Sequence, residues 1–284
     1  MKINNTLFAC ILLIMTVSHV NAQSDKNICY KVGIGTVEYA VPEQKTTVGS
    51  IIGGLAEAAL TGKNTSQLPE YADAVKASVV TGIGNAMRLT VMEDTSMEHD
   101  YLLSGTISNI SATTRIEAPV KKGTPGNEYF KVLVSVTANI SNASNGEVID
   151  SHLFRVSDSD LGWMGSKDKA MSEALAILSK RVASYYNSLF PLHASVVERG
   201  DIDKDKQKTV YIDLGSALNV SEGMQFDVYS VREIAGKEAR TEIGRLKISK
   251  VMGEDISLCK VTKGDKQLKT ALDNNEILVV TSRK

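Results

Sequence analysis

Four groupings of residues in this sequence have the types and spacing to do chemistry. Asp201, Asp203 and Asp205 open like a calcium loop, in which alternate acids turn their oxygens towards one ion. The sixth position is Lys206 where the turn needs Gly, and the twelfth is Ile212 where a bidentate Glu belongs, so a solvated loop is expected. Gly33-Ile34-Gly35 starts like a dinucleotide fingerprint, but Glu38 stands at its sixth position and the glycines fall inside a predicted strand. No G-x-x-x-x-G-K-[ST] segment occurs, so neither nucleotide binding nor any other cofactor is expected. Ser166-Lys167-Asp168-Lys169 has the S-x-x-K spacing of acyl-serine enzymes. It lacks S-D-N and K-T-G partners, which makes Ser166 a helix N-cap first and a nucleophile second. His99, His152 and His193 are scattered, with no two on one helix face, so no metal site is expected. Asp158 and Asp160 read as surface charges in a polar loop. No catalytic residue is assigned, and the expected protein is not an enzyme.

Composition agrees with an ordinary folded globular chain. Its 284 residues are 43% hydrophobic and 23% charged, with 32 basic side chains against 33 acidic ones. A net charge of -1 leaves no general excess of cations for phosphates, and no basic patch stands out, so nucleic acid is excluded as a partner class. Residues 1–22 form a secretory signal: a basic start, an apolar run from Leu7 to Val20, and a small residue, Ala22, at the exit. That run falls short of the roughly 20 residues needed to span a bilayer. Leu7-Phe8-Ala9-Cys10 looks like a lipobox, but the strongest apolar run follows Cys10 instead of preceding it. Cys29 and Cys259 then remain, read as two buried free thiols.

The elements that would hold any site follow from periodicity. Cys29 to Tyr39 alternates as a strand, with Tyr30, Val32, Ile34 and Thr36 on one side. Ile51-Ile52-Gly53-Gly54-Leu55-Ala56-Glu57-Ala58-Ala59-Leu60 is an apolar insertion, read either as a helix packed on the domain or as a segment that docks on a membrane or partner. Tyr71, Val75, Val79, Ile83 and Met87 recur every four residues and predict a core-facing helix, weakened by Gly82 and Gly84 and compensated by close packing on a sheet. A short strand over Leu89 to Glu93 and longer ones over Tyr101 to Ile110, Phe130 to Ile140 and Val148 to Val156 follow, with Asn145-Gly146 turning the last two into a hairpin. A helix from Ser166 to Pro191 presents Met171, Ala174, Leu175, Leu178, Val182, Tyr185 and Leu189. Beyond Ala194 only short strands are expected, near 194–198, 209–214, 225–230, 244–251, 256–261 and 277–281, which predicts a small β-barrel without a helix.

Several blocks together resemble the curli-export CsgG family and its envelope relatives LpoB and FlgT. They are Lys31-Val32-Gly33-Ile34-Gly35-Thr36-Val37-Glu38, the helix and strand Tyr71 to Glu93, Tyr101-Leu102-Leu103-Ser104-Gly105-Thr106-Ile107, Asn145-Gly146-Glu147-Val148, and Leu189-Phe190-Pro191. The C-terminal part is similar to the barrel of FlgT through Val210 to Ser216, Val220 to Tyr229 and Glu242 to Leu246, with Gly215 and Gly223 read as sharp turns. The fold implied is α/β: a CsgG-like layered sheet with packed helices in the order β-α-β-β-β-β-α over 23–192, followed by a small all-β barrel over 193–284. The function implied is a noncatalytic exported protein, periplasmic and outer-membrane associated, supporting secretion or assembly through contacts with other envelope proteins or copies of itself. The insertion, through Ile51, Ile52, Leu55 and Leu60, is expected to be the partner-binding surface, with peripheral membrane contact as its other use. Two rival readings are an oligomeric outer-membrane export channel and a cell-wall enzyme using Ser166. Against the channel, no strands of about 9–11 residues with an apolar outer face are found outside the folded elements.

Overall fold

The computed structural model describes residues 27–40, 63–94, 98–117 and 126–283. The expected signal segment over 1–22 and the expected contact residues Ile51, Ile52, Leu55 and Leu60 lie outside them. The described chain is mixed α/β and is built around two hydrophobic cores.

The first core lies between a sheet and two helices. Its strands are β1 (Tyr30–Tyr39), β2 (Lys63–Gln67), β3 (Leu89–Met92), β4 (Tyr101–Glu117), β5 (Asn127–Asn142) and β6 (Val148–Val156). They run in the order β3-β1-β4-β5-β6, with β2 paired to the far half of β4. β1 is parallel to β3 and β4, which the intervening helix α1 (Ala72–Gly84) makes possible, and β4, β5 and β6 form an antiparallel meander. The alternation of β5 sets its faces: Phe130, Val132, Val134, Val136, Ala138 and Ile140 are buried against α2 (Lys167–Leu189). Val75, Val79 and Ile83 of α1 and Met171, Ala174, Leu178 and Val182 of α2 complete this core.

Several sequence expectations change here. β2 has too little apolar character to be read as a strand and is held by its register on β4. In β1 a register shift between Ile34 and Val37 reverses the alternation, so Thr36 is exposed and Val37 and Tyr39 join the core instead. Tyr186 rather than Leu189 closes the apolar face of α2; Leu189 is exposed at its end. The close packing at Gly82 is against the other helix, not the sheet. Cys29 is exposed, whereas Cys259 is buried, and both are free.

The second core fills a closed six-stranded antiparallel barrel of β7 (His193–Arg199), β10 (Thr209–Ile212), β11 (Gln225–Ile234), β12 (Lys237–Val251), β13 (Ser257–Lys263) and β14 (Ile277–Ser282), ordered β10-β13-β12-β11-β14-β7. Alternate side chains enter it: Val210 and Ile212, Phe226 and Val228, Leu246 and Ile248, Cys259 and Val261, Leu278 and Val280. The loop after β7 holds a two-stranded turn, β8 (Ile202–Asp203) with β9 (Lys206–Gln207). The barrel also has a helix that the sequence did not reveal, α3 (Asp265–Asp273), which buries Leu268 and Ala271 in the core. A nine-residue element with two buried positions is too short for its period to stand out. Gly223 has positive φ, as a turn requires; Gly215 is extended, and its role is closeness, since a Cβ there would sit 2.3 Å from the Gly253 carbonyl oxygen.

Polar contacts join the two cores. Asn27 Nδ2 donates to the His193 carbonyl (2.6 Å), and its Oδ1 accepts from the His193 N–H (2.7 Å). Buried Arg88 donates to the carbonyls of Ile28 (3.2 Å) and Pro191 (2.9 Å) and lies 5.2 Å over the Tyr30 ring.

Candidate docking edge

β6 forms one edge of the first sheet, and among the described residues no strand pairs with its outer side. Gly146, at φ +71, turns the chain from β5, and the Asn142 N–H donates to the Glu147 carbonyl. At the other end Phe130 of β5 exchanges both backbone bonds with Met164. The even-numbered backbone groups of β5 therefore point towards β6. Through the register Ile140↔Asp150, Ala138↔His152 and Val136↔Phe154, the even residues of β6 bond inward. The backbone groups of Ser151, Leu153 and Arg155 point out from the edge, whereas Ile149 is the extra residue at a register shift opposite Ile140. At one end of this row Arg181 Nη1 donates to the Arg155 carbonyl, while among the described residues Ser151 and Leu153 have no such cover.

The side chains of β6 invert the usual pattern. The solvent face carries Leu153, 40% exposed, and Val148 and Ile149 at the strand's start are 58% and 44% exposed. The helix face carries Asp150 and His152 ahead of buried Phe154 and Val156. These polar groups are accommodated by α2: Tyr185 Oη donates to Asp150 Oδ1 at 2.7 Å, and the His152 ring stacks on Tyr185 at 3.8 Å between centroids. Burial, then the bond to Asp150, push the Tyr185 hydroxyl up to about 12, so it stays a donor. Arg181 pairs with Asp160 (2.5 Å), and its hydrogen bonds, with those of Ser157, hold the Asp160 carboxyl well below the usual range. Between β6 and α2 lies an open groove of about 720 Å³, lined among others by His152, Leu153, Arg155, Arg181 and Leu189. An extended edge beside an open groove can take a strand and the side chains that project from it.

The sequence-derived candidates are not brought together. Ser166 caps α2, its Oγ accepting from the Lys169 N–H at 3.3 Å. Asp203 lies near Lys208 (3.9 Å) and Asp205 bonds Lys266 (2.6 Å), so two acids of the calcium-like run face lysines. Asp158 and Asp160 are more than loose surface charges, since they anchor Lys131 (3.2 Å) and Arg181 respectively. Among the described residues no three His, Cys, Asp or Glu side chains converge as metal ligands, and no helix is long and apolar enough to cross a membrane. Sequence reasoning placed β6 correctly but did not mark it as a site. The available signal was Ile149 and Leu153 on one parity against Asp150 and His152 on the other.

No protein-family model matches the chain, and no curated protein matches it. Similar solved structures include the PelC dodecamer from Paraburkholderia phytofirmans, 15% identical with a TM-score of 0.31, over 56% of this chain and 88% of that one. Protein XCC0632 from Xanthomonas campestris, of family DUF330, is 12% identical with a TM-score of 0.29, over 58% of this chain and 83% of that one. The hypothetical protein CT253 from Chlamydia trachomatis is 8% identical with a TM-score of 0.31, over 57% of this chain and 98% of that one. None of the three is a CsgG-family protein, and TM-scores this low assign this chain neither a family nor a function.

Proposed function

We propose that this chain is a noncatalytic, exported protein of the bacterial envelope that supports secretion or assembly by docking, its partner adding a strand to the outer edge of β6. The reading rests on one observation: outward-pointing backbone groups at Ser151 and Leu153, flanked by exposed apolar side chains where a solvated edge would carry charges. Backbone pairing would supply the attraction, and the exposed side chains with the groove beside α2 would supply selection. The signal-like leader supports export.

The test places a photoreactive aromatic residue at Leu153 of the full chain and irradiates intact envelopes, with the same probe at exposed Ile234 of the barrel as control. Adducts specific to position 153, identified by mass spectrometry and lost when Ile149→Lys is added, are expected. No adduct at 153, or the same set from both positions, would overturn the reading.

A further inference from the structure

We infer that the strand received by β6 carries an acidic side chain opposite Arg155 and an apolar one opposite Leu153; this rests on the docking reading above. The regular ladder of β6 on β5 runs from Asp150 to Val156, clear of the register shift at Ile149. Over that stretch the outward backbone groups belong to Ser151, Leu153 and Arg155, and an antiparallel partner continues the meander of β4, β5 and β6. Residues that stand opposite one another share a face of the sheet. The partner residue facing Arg155 therefore precedes the one facing Leu153 by two positions in its own chain.

Charge selects what stands there. Arg155 is exposed and lines the groove, and among the described residues its guanidinium has no carboxylate, carbonyl or ring beside it. Every other described arginine has one: seven lie beside carboxylates, and Arg88 holds two carbonyls. Among the described residues no Asp or Glu lines the groove, and the carboxylates nearest to its lining are already held, Asp160 by Arg181 and Asp150 by Tyr185. A neighbouring cavity of about 260 Å³ shares Ser184 with the groove and adds Lys180 and Arg283, again with no acid. At the other end of the edge stand Glu147 and Asp150, which would repel an acid, so charge fixes the register as well as the composition of the partner. Arg181 covers the Arg155 carbonyl, so the added ladder ends at Arg155, where the pair of opposite charges would close it.

The test reads two dye-labelled peptides, capped at both ends, by fluorescence anisotropy against the full chain. One contains Glu-Thr-Val-Thr-Val, to stand opposite Arg155 through Ser151, and the other has Lys in place of Glu. The Glu peptide is expected to bind about fivefold or more tighter than the Lys peptide, and Arg155→Glu should reverse that order. The reversal guards against misfolding, since a damaged chain would not gain affinity for the Lys peptide. N-methylation of the valine opposite Leu153 should abolish binding of both peptides, because that amide is the one that donates to the Leu153 carbonyl. Equal binding of the two peptides, or a preference that Arg155→Glu leaves unchanged, would overturn the inference. Should N-methylation still abolish that equal binding, strand addition at β6 would stand without the acidic partner. Binding of neither peptide would overturn the inference and the docking reading together.

Discussion

Two glycines two residues apart in α1 are expected to respond to alanine with opposite signs. A Cβ at Gly82 would lie 2.6 Å from Val182 Cβ and 2.7 Å from the Ser179 carbonyl oxygen, both on α2. Ordinary carbon contacts lie near 3.5–4.0 Å, so the intrusion is about 1 Å, and one obstacle is backbone that cannot rotate away. Alanine favours the helix by about 1 kcal/mol over glycine, whereas overpacking of this kind costs about 1–3 kcal/mol. With both contacts this short the upper half of that range applies, and Gly82→Ala should destabilise by about 1–2 kcal/mol. At Gly84 the nearest atom to a Cβ is Val91 Cγ2 at 3.6 Å, an ordinary contact, so the helix gain survives. As the last residue of α1 it should gain no more than about 1 kcal/mol. Urea unfolding followed by the fluorescence of Trp163, the one tryptophan, reports on this part of the molecule. With a slope of about 2 kcal/mol/M, the Gly82→Ala midpoint should fall by about 0.5–1 M and that of Gly84→Ala should rise by up to about 0.5 M. Equal shifts of the same sign, or a Gly82→Ala protein as stable as its parent, would refute the helix–helix contact as drawn.

Other expectations follow from the polar contacts. Arg88→Met keeps the volume but leaves the carbonyls of Ile28 and Pro191 without their donor, and should cost about 2–4 kcal/mol in the same assay. Asp160 has its folded pKa depressed below the unfolded value of about 3.9, so its contribution is present above pH ~4 and is lost as pH falls through the folded value. Stability curves of the parent and Asp160→Asn should therefore differ by about 1–2 kcal/mol at pH 7 and converge in acid. A maleimide should label exposed Cys29 in the native protein, whereas Cys259, its thiol pushed up to about 12 by burial, should react only as the barrel unfolds.

The sequence is most readable where one physical signal dominates. The unbroken alternation of β5 from Phe130 to Ile140, the Asn145-Gly146 turn and the four-residue spacing of Val75, Val79 and Ile83 each give their element without help from the rest of the chain. The barrel was readable from six short strands spaced by turn residues. Tertiary context hid the remainder. β2 exists through its partner β4, the phase of β1 reverses at a register shift, and α3 is defined by two side chains reaching a core made elsewhere. The candidate site was hidden differently. Residues 148–156 were read as a strand, but whether that strand is an edge depends on which strands lie beside it, and a single chain's alternation does not state its neighbours. Only the sheet order turns Ile149 and Leu153 from ordinary strand residues into an exposed docking row.

The most direct test of that row is amide hydrogen exchange across β6, first in dilute protein and then under conditions where the docked species forms. In the dilute state the amides of Asp150, His152 and Phe154, bonded to β5, should be protected, whereas those of Ser151 and Leu153 should exchange freely. On docking, the second set alone should gain protection. Protection of Ser151 and Leu153 already present in dilute protein would show that the edge is covered within the chain itself, and would contradict docking at β6.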